Sequence, residues 1–156
     1  MKEIKLTQDK VAQVDDWWFE KLNQYKWRAS YAGGDWYAIR SLPRTYDKPR
    51  KTEFMHRVIM NTPPELDVDH QDHDGLNNLE ENLRNCTHQQ NQMNKTAAGK
   101  SKYLGVHYSN NHITAKIRLN GKTIYIGMFK TEEDAARAYD IRAKELFGEF
   151  ANPNFK

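Results

Sequence analysis

The most regular pattern in the chain is an alternation of apolar and polar residues from 113 to 120. A period of two predicts a strand with one buried and one solvated face. Asn120-Gly121 then favours a hairpin turn, and residues 122–127 form the returning strand. Because apolar residues around Val106 provide a third strand, we predict a three-stranded antiparallel sheet.

A single amphipathic helix is predicted to follow this sheet. Thr131 is a favourable N-cap with Asp134 at the capping-box position, and Gly148 is a favourable stop. Between them, apolar residues recur three or four positions apart: Ala135, Ala138, Tyr139, Ala143 and Leu146. We expect this stripe to cover the face of the sheet that carries the isoleucines, which leaves the opposite, basic face exposed.

The N-terminal part of the chain favours short hairpins. An alternating segment at 4–15 predicts the first hairpin, and Asp15-Asp16 are suited to cap a short helix after it. Aromatic-rich strands at 27–31 and 36–42 flank a Gly33-Gly34 turn and predict the second.

Residues 96–102 are small and polar and show no hydrophobic period, which is typical of a linker. We therefore predict an α+β protein with one domain at 1–95 and another at 103–156. The composition, 38% hydrophobic and 29% charged, is that of a folded, soluble chain. No run approaches the about 20 apolar residues of a membrane span, so we expect a cytoplasmic protein without a membrane partner. Cys86 is the only cysteine, which excludes an internal disulfide and a Cys-x-x-Cys zinc site.

The net charge of +3 is unevenly distributed. Residues 1–95 hold 14 basic and 15 acidic side chains, whereas residues 96–156 hold 10 and 6. Between 96 and 130 there is no acidic residue and there are six basic ones: Lys100, Lys102, Lys116, Arg118, Lys122 and Lys130. This segment is typical of a surface that faces a polyanion.

Carboxylates, amides and histidines are concentrated between residues 66 and 95. They are Asp67, Asp69, His70, Asp72, His73, Asp74, Asn77, Asn78, Asn82, His88, Asn91 and Asn94. Oxygen ligands suit Mg²⁺ or Mn²⁺, and a neutral histidine can accept a proton from water. The same composition around Gly75 is also typical of a turn-rich loop without a ligand, so composition alone leaves both interpretations open.

The spacing within this segment resembles the HNH homing-endonuclease family of phage and intron nucleases. The matching residues are Val68-Asp69-His70, Asp74-Gly75, Asn77-Asn78, Glu81-Asn82-Leu83-Arg84, Thr87 and Asn91. Asn82 lies 13 residues after Asp69 and Asn91 lies 22 after it, as in that family. Weaker similarity extends back through Met55-His56-Arg57, so that the resemblance covers most of residues 1–95.

The resemblance implies a ββα nuclease unit that cleaves DNA with one divalent ion, Mg²⁺ or Mn²⁺. It implies that Asp69 and Asn91 bind the ion and that His70 deprotonates the attacking water. It also implies that Asn82 hydrogen-bonds across the loop to hold His70.

Three further histidines are left open by the sequence. His56 lies in an apolar run, which is more typical of a core residue than of a ligand. His73 and His88 are expected to be exposed, although either could touch a phosphate.

Residues 103–154 resemble the DNA-binding domain of the ethylene-response-factor, or Apetala-two, type. The residues that carry this resemblance are Tyr103-Leu104-Gly105-Val106, Ala115-Lys116-Ile117-Arg118, Tyr125-Ile126-Gly127-Met128-Phe129, Thr131 to Asp140 and Asn152-Pro153-Asn154-Phe155. In that family the sheet enters the major groove, and the positions that match its contacts are His107, Ser109, Lys116, Arg118, Thr123 and Tyr125. Because arginines that read guanine in the plant proteins are largely missing, we expect a different target preference.

Together these patterns favour a metal-dependent HNH endonuclease of the homing type, targeted to DNA by its C-terminal sheet, that nicks DNA or cuts both strands. A non-catalytic DNA-binding regulator on a degenerate nuclease scaffold is the alternative, but a scaffold would need none of the four site residues. An RNA binder that uses Tyr108 and Tyr125 is a third hypothesis. DNA is the expected partner, no protein partner is evident, a monomer is favoured, and the expected location is a bacterial or phage-infected host cell.

Overall fold

The computed structural model describes residues 1–43, 51–93, 100–109 and 112–155, which form two compact units. The first unit comprises Met1–Thr87 and the second His88–Lys156. Strands and short helices occur in both, which confirms the predicted α+β class. The predicted linker lies partly outside the described residues.

Within its described residues, the first unit contains three small antiparallel sheets. The elements are β1 (Lys2–Lys5), β2 (Val11–Val14), α1 (Asp16–Asn23), β3 (Arg28–Ala32), β4 (Asp35–Ser41), β5 (Thr52–Phe54), α2 (Met55–Ile59), β6 (Asp67–His70), a 3-10 turn (Glu80–Asn82) and β7 (Leu83–Cys86). The strand orders of the three sheets are β1-β2, β3-β4-β5 and β6-β7.

Both predicted hairpins of the first unit are confirmed. β1 pairs with β2, and β3 pairs with β4 across Gly33-Gly34. The helix α1 begins directly after Asp15, as expected, but the Asp15 side chain does not cap it. Instead, the Asp15 carboxylate accepts a hydrogen bond of 2.8 Å from the backbone N–H of Glu80, 65 residues away.

One hydrophobic core joins the elements of the first unit. Its buried members are Ile4, Ala12, Val14, Leu22, Trp27, Ala38, Met55, Ile59, Val68 and Leu83. The indole N–H of Trp27 donates to the carbonyl of Leu22 at 2.9 Å, so the buried ring leaves no donor unsatisfied. Burial of each large side chain contributes about 1.5–3 kcal/mol, and α1, α2 and the three sheets are held together in this way.

The second unit contains the predicted three-stranded sheet and its helix. The elements are α3 (His88–Met93), β8 (Val106–Ser109), β9 (His112–Leu119), β10 (Lys122–Phe129) and α4 (Glu132–Phe147). The strand order of the sheet is β10-β9-β8, with β9 in the centre. Thr131 caps α4 as predicted, since its hydroxyl accepts a hydrogen bond of 3.1 Å from the N–H of Asp134.

The register of β10 changes once, which the alternation did not predict. β10 pairs with β9 up to Tyr125 and again from Gly127, so Ile126 is an extra residue in a β-bulge. The bulge reverses the alternation of faces that follows it. Met128 is therefore 57% exposed, on the same face as Tyr125.

The C-terminal segment is fastened to α4 and to the start of the sheet. The Asp140 carboxylate accepts hydrogen bonds from the backbone N–H groups of Asn154 and Phe155, at 2.8 and 3.0 Å. The amide side chain of Asn154 in turn hydrogen-bonds the N–H and the carbonyl of Leu104.

Among the described residues, no helix is long and apolar enough to cross a membrane.

Two glycines with the same backbone φ of 76° provide a test of packing in the second unit. A Cβ atom on Gly105 would lie 2.0 Å from the Tyr139 ring, whereas nothing lies within 4 Å of one on Gly121. Gly121→Ala should lower the free energy of unfolding by about 1 kcal/mol through backbone strain. Gly105→Ala should lower it by about 3 kcal/mol or more, because the ring must also move. Hydrogen exchange of the α4 amides measures both decreases in the free energy of unfolding. Equal decreases would show that the Tyr139 ring moves aside without an energetic cost.

Candidate active site and exposed sheet face

Two adjacent candidate residues lie at the end of β6, and both are buried. Asp69 is 4% exposed and His70 is 7% exposed. Successive side chains of a strand point to opposite faces, so the burial of both residues means that both faces of β6 are covered. In the ribbon with β7, Asp69 pairs with Arg84 and His70 pairs with Leu83.

Rings from β4 and α2 contact the His70 ring, and a ring from β5 packs behind them. The His56 ring meets it edge-on, with centroids 5.0 Å apart and an interplanar angle of 84°. The ring centroids of Tyr37 and His70 are 6.0 Å apart, and Phe54 stacks on His56 with a centroid distance of 5.2 Å. We call Tyr37, Phe54 and His56 the aromatic wall. Such contacts restrict the rotation of the His70 ring.

Burial keeps both histidines neutral. It lowers the pKa of His70, although a side-chain hydrogen bond with Asn78 and the nearby carboxylates of Asp72, Asp35 and Asp69 act in the opposite direction. Burial, reinforced by the charges of His70 and Arg57, lowers the pKa of His56 to about 3. At pH 7 the rings of the pair therefore carry no charge.

The loop from 71 to 79 is held by a network around Asn82. The Asn82 amide donates to Asp72 and to the carbonyl of Asn77, both at 2.9 Å, and accepts from the N–H of Asp72 at 3.1 Å. Burial acts to raise the pKa of Asp72, but hydrogen bonds from Asp74, Asn77 and Asn82 together lower it. The Asn82 side chain thus hydrogen-bonds across the loop to Asp72 and Asn77. Its expected role in holding His70 stays a prediction.

Gly75 brings the same loop against β4. Its N–H donates to the Asp35 carboxylate at 2.7 Å. A Cβ atom here would lie 2.4 Å from the carbonyl oxygen of Trp36 and 2.7 Å from the Tyr37 ring. Only glycine allows this approach, and the loop thereby closes over the aromatic wall.

Asp69, a candidate metal ligand, also forms an ion pair. Nε and one terminal nitrogen of Arg84 lie 2.8 and 2.6 Å from Asp69 Oδ2. In the described part of the chain, no three His, Cys, Asp or Glu side chains converge as a metal site. Mg²⁺ is commonly held by one or two protein carboxylates, with water and substrate phosphate completing its shell. The residues at the end of β6 fit an ion held in that way and do not form a closed cage.

The remaining candidates of this segment are distributed as follows. Asn91 lies half-buried in α3, in the second unit. His73 and His88 are exposed, as expected. Asn94 is outside the described residues.

The six candidate contact residues of the C-terminal sheet share one face. Val106, Ala115 and Ile117 pack with α4, so their alternate neighbours point away from the helix. Those neighbours include His107, Ser109, Lys116, Arg118, Thr123 and Tyr125, with Arg118 opposite Thr123 and Lys116 opposite Tyr125. Five of the six are exposed, and Lys116 is half-buried on the central strand. The predicted basic face therefore exists as a surface.

Several residues at the His70 site carry no distinctive signal in the sequence. Tyr37 stands out only as part of an aromatic strand, and Arg84 only as part of the resemblance. The apolar run around His56 indicates burial, but it does not indicate that His70 is the neighbour. Asn78 is fully buried and is one asparagine among many in its segment.

The burial of His56 predicts acid sensitivity of the first unit. Its folded pKa lies below the ordinary 6.5, so the unfolded chain binds more protons and stability falls as pH drops from 6.5 towards 3. At about 1.4 kcal/mol per pH unit, the loss at pH 5 is about 2 kcal/mol. His56→Leu should flatten this slope but leave the slope between pH 7 and 8.5 unchanged. Urea titrations at each pH, followed by tryptophan fluorescence, measure the free energy of unfolding of the first unit, since all four tryptophans lie in it. Parallel acid slopes for parent and variant would contradict the prediction.

Comparison with known proteins identifies a relative that covers most of the chain. The chain is 41% identical over 138 residues to an uncharacterised HNH endonuclease of Acanthamoeba polyphaga mimivirus. The alignment spans 85% of this chain and 68% of that protein. No family model and no solved structure matches the chain. At this identity and coverage, the chain belongs to the HNH endonuclease family.

Proposed function

We propose that the protein is a metal-dependent DNA endonuclease of the homing type, which hydrolyses phosphodiester bonds by nicking DNA or by cutting both strands. The observation that carries this proposal is a buried, neutral His70 that directly follows the buried Asp69 at the end of β6. The family membership supports the reaction class.

His70 acts as the general base in this proposal. A neutral imidazole can take a proton from the attacking water, whereas an imidazolium cannot. The aromatic wall limits the orientations of the ring, and a restricted ring favours a defined geometry towards the attacking water. Asn82 contributes indirectly, because it holds the loop that closes over the wall.

Asp69 and Asn91 are the proposed ligands of the divalent cation, Mg²⁺ or Mn²⁺. When bound, the ion would supply positive charge to offset the charge that develops on the leaving 3′ oxygen. Arg84 fixes the Asp69 carboxylate through two hydrogen bonds. Asn91 is assigned on the spacing that it shares with the family.

The test of the proposed reaction is cleavage of supercoiled and linear DNA with Mg²⁺ or Mn²⁺. His70→Asn should reduce the cleavage rate by at least about 100-fold, in keeping with the usual contribution of a general base, while DNA affinity stays within a few-fold. Because burial lowers the pKa of His70, the parent should lose activity only as pH falls below the ordinary imidazole value of 6.5. A chelator should abolish cleavage.

The matched control is His73→Asn, which places the same side chain on an exposed loop histidine three residues away. Asparagine tolerates the positive φ of 67° at this position. Equal loss of activity in both variants would remove His70 from its assigned role. Absence of cleavage by the parent under all metal conditions would favour a non-catalytic DNA-binding regulator.

We further propose that the exposed face of the C-terminal sheet binds the DNA target. Lys116 and Arg118 provide positive charge on the central strand, and Tyr125, which is 56% exposed, offers an aromatic surface beside them. His107, Ser109 and Thr123 add hydrogen-bonding groups on the same face. A sheet face of this kind can contact phosphates and base edges in the major groove.

Reversal of charge on this face should weaken DNA binding without altering the chemistry. Lys116→Glu with Arg118→Glu should reduce affinity at least about tenfold and lower its salt dependence, because fewer phosphates are neutralised. The control, Arg137→Glu with Lys144→Glu, changes the net charge equally at two exposed positions of α4. Binding is measured by fluorescence anisotropy over a salt series, and cleavage by single turnover on saturating DNA. If both double variants weaken DNA binding equally, the effect depends only on net charge and the sheet face is not the DNA contact.

A further inference from the structure

A basic groove lies in the first unit, outside the site around His70. Its volume is about 570 Å³, and it runs between the β1–β2 hairpin, the end of α1 and the adjoining ends of β3 and β4. We call it the N-terminal groove; its charged and aromatic lining includes Lys5, Tyr25, Lys26, Trp27, Arg28 and Arg40. No lining residue belongs to β6 or to the aromatic wall.

The groove concentrates positive charge in a unit that is acidic as a whole. Residues 1–87 hold 13 basic and 15 acidic side chains, yet no carboxylate lines the groove. Lys5, Lys26 and Arg28 are exposed and form no ion pair with any residue the structure describes. Three cations are therefore available to an external anion.

Arg40 lines the same groove but differs from the three exposed cations in that it forms an ion pair. Its guanidinium pairs with Glu53 at 2.5 Å, so its charge is already compensated. It also lies 3.7 Å from the centroid of the Tyr25 ring and 5.1 Å from that of Trp27. This stack fixes Tyr25, which is 45% exposed, as a rigid aromatic edge beside the three cations.

Two arginines outside the groove, among those that the structure describes in this unit, are engaged in internal contacts. Arg57 donates to the backbone carbonyls of Leu66 and Pro63, both at 2.8 Å. Arg84 is bound to Asp69. Among the residues that the structure describes, Lys5, Lys26 and Arg28 thus differ from these two arginines, because they form no ion pair.

We propose that the N-terminal groove binds the phosphodiester backbone of DNA. Cations spaced along an open groove suit a polyanion, since each can neutralise a separate phosphate and release its counterions. An exposed aromatic ring beside them can contact a sugar or an unstacked base. This inference rests on the proposed function, because it takes DNA as the substrate. It gives the first unit a DNA contact of its own, in addition to the sheet face of the second unit.

The experiment uses the full chain carrying His70→Asn, so that binding is measured without cleavage. The groove variant adds Lys5→Ala, Lys26→Ala and Arg28→Ala. The control adds Lys2→Ala, Lys21→Ala and Lys51→Ala, three exposed cations outside the groove, with the same change in net charge. Binding to duplex DNA is measured by anisotropy over a salt series, and tryptophan fluorescence in urea verifies that the first unit is folded.

The groove variant should bind DNA at least about tenfold more weakly than the parent. The slope of log affinity against log salt concentration should also become shallower, by about 0.9 for each phosphate that is no longer neutralised and so by up to about 2.7 for three. The control should change the slope by less than about 0.9. An unchanged slope in the groove variant, with a parent that binds DNA, overturns the groove proposal and leaves the proposed function standing. A parent that binds no DNA at any salt concentration overturns both. If the triple variant does not fold, the single variant Lys26→Gln tests the groove proposal, since Lys26 lies in an exposed connection. This variant should lower the salt slope by about 0.9, and an unchanged slope overturns the proposal.

Discussion

The structure of the first unit depends on keeping His70 buried at the end of β6. Three carboxylates and an asparagine favour the protonated ring, whereas burial disfavours it and prevails. Burial lowers the pKa of the ring more than these groups raise it, so the neutral form is favoured. The aromatic wall and the loop after β6 provide that burial, and each is held by elements from elsewhere in the chain.

The loop after β6 is anchored by residues that are far away in sequence. The backbone of Gln13 in β2 bonds with both Leu76 and Asn78, at 2.9 Å in each case. Asp35 accepts from Gly75, and Asp15 accepts from Glu80. The N-terminal hairpins therefore act as the scaffold of the site. Several of the acidic residues that make this unit negative are engaged as hydrogen-bond acceptors and are not available as free surface charge.

The second unit separates its apolar and polar faces by a different means. α4 covers one face of a three-stranded sheet with small residues, Ala135, Ala136 and Ala143, which allow the helix to approach closely. The opposite face keeps its basic and polar side chains, and the bulge at Ile126 adds Met128 to it. Both proposed DNA contacts, on the sheet face and in the N-terminal groove, thus include cations that form no ion pair with any residue the structure describes.

The sequence by itself determined the hairpins, the Thr131 cap, α4 and the two faces of the C-terminal sheet, because periodicity, turn residues and caps act over a few positions. It also placed Asp69 and His70 at a strand end through the resemblance to HNH nucleases. Only the tertiary structure decided that Asp15 bonds Glu80, that His56 packs edge-on against His70, and that four cations of the first unit line one groove. These contacts join segments that meet only after the chain has folded, and no local preference specifies which distant groups will meet. The bulge in β10 has the same origin, since its register is set by pairing with β9 and by packing against α4.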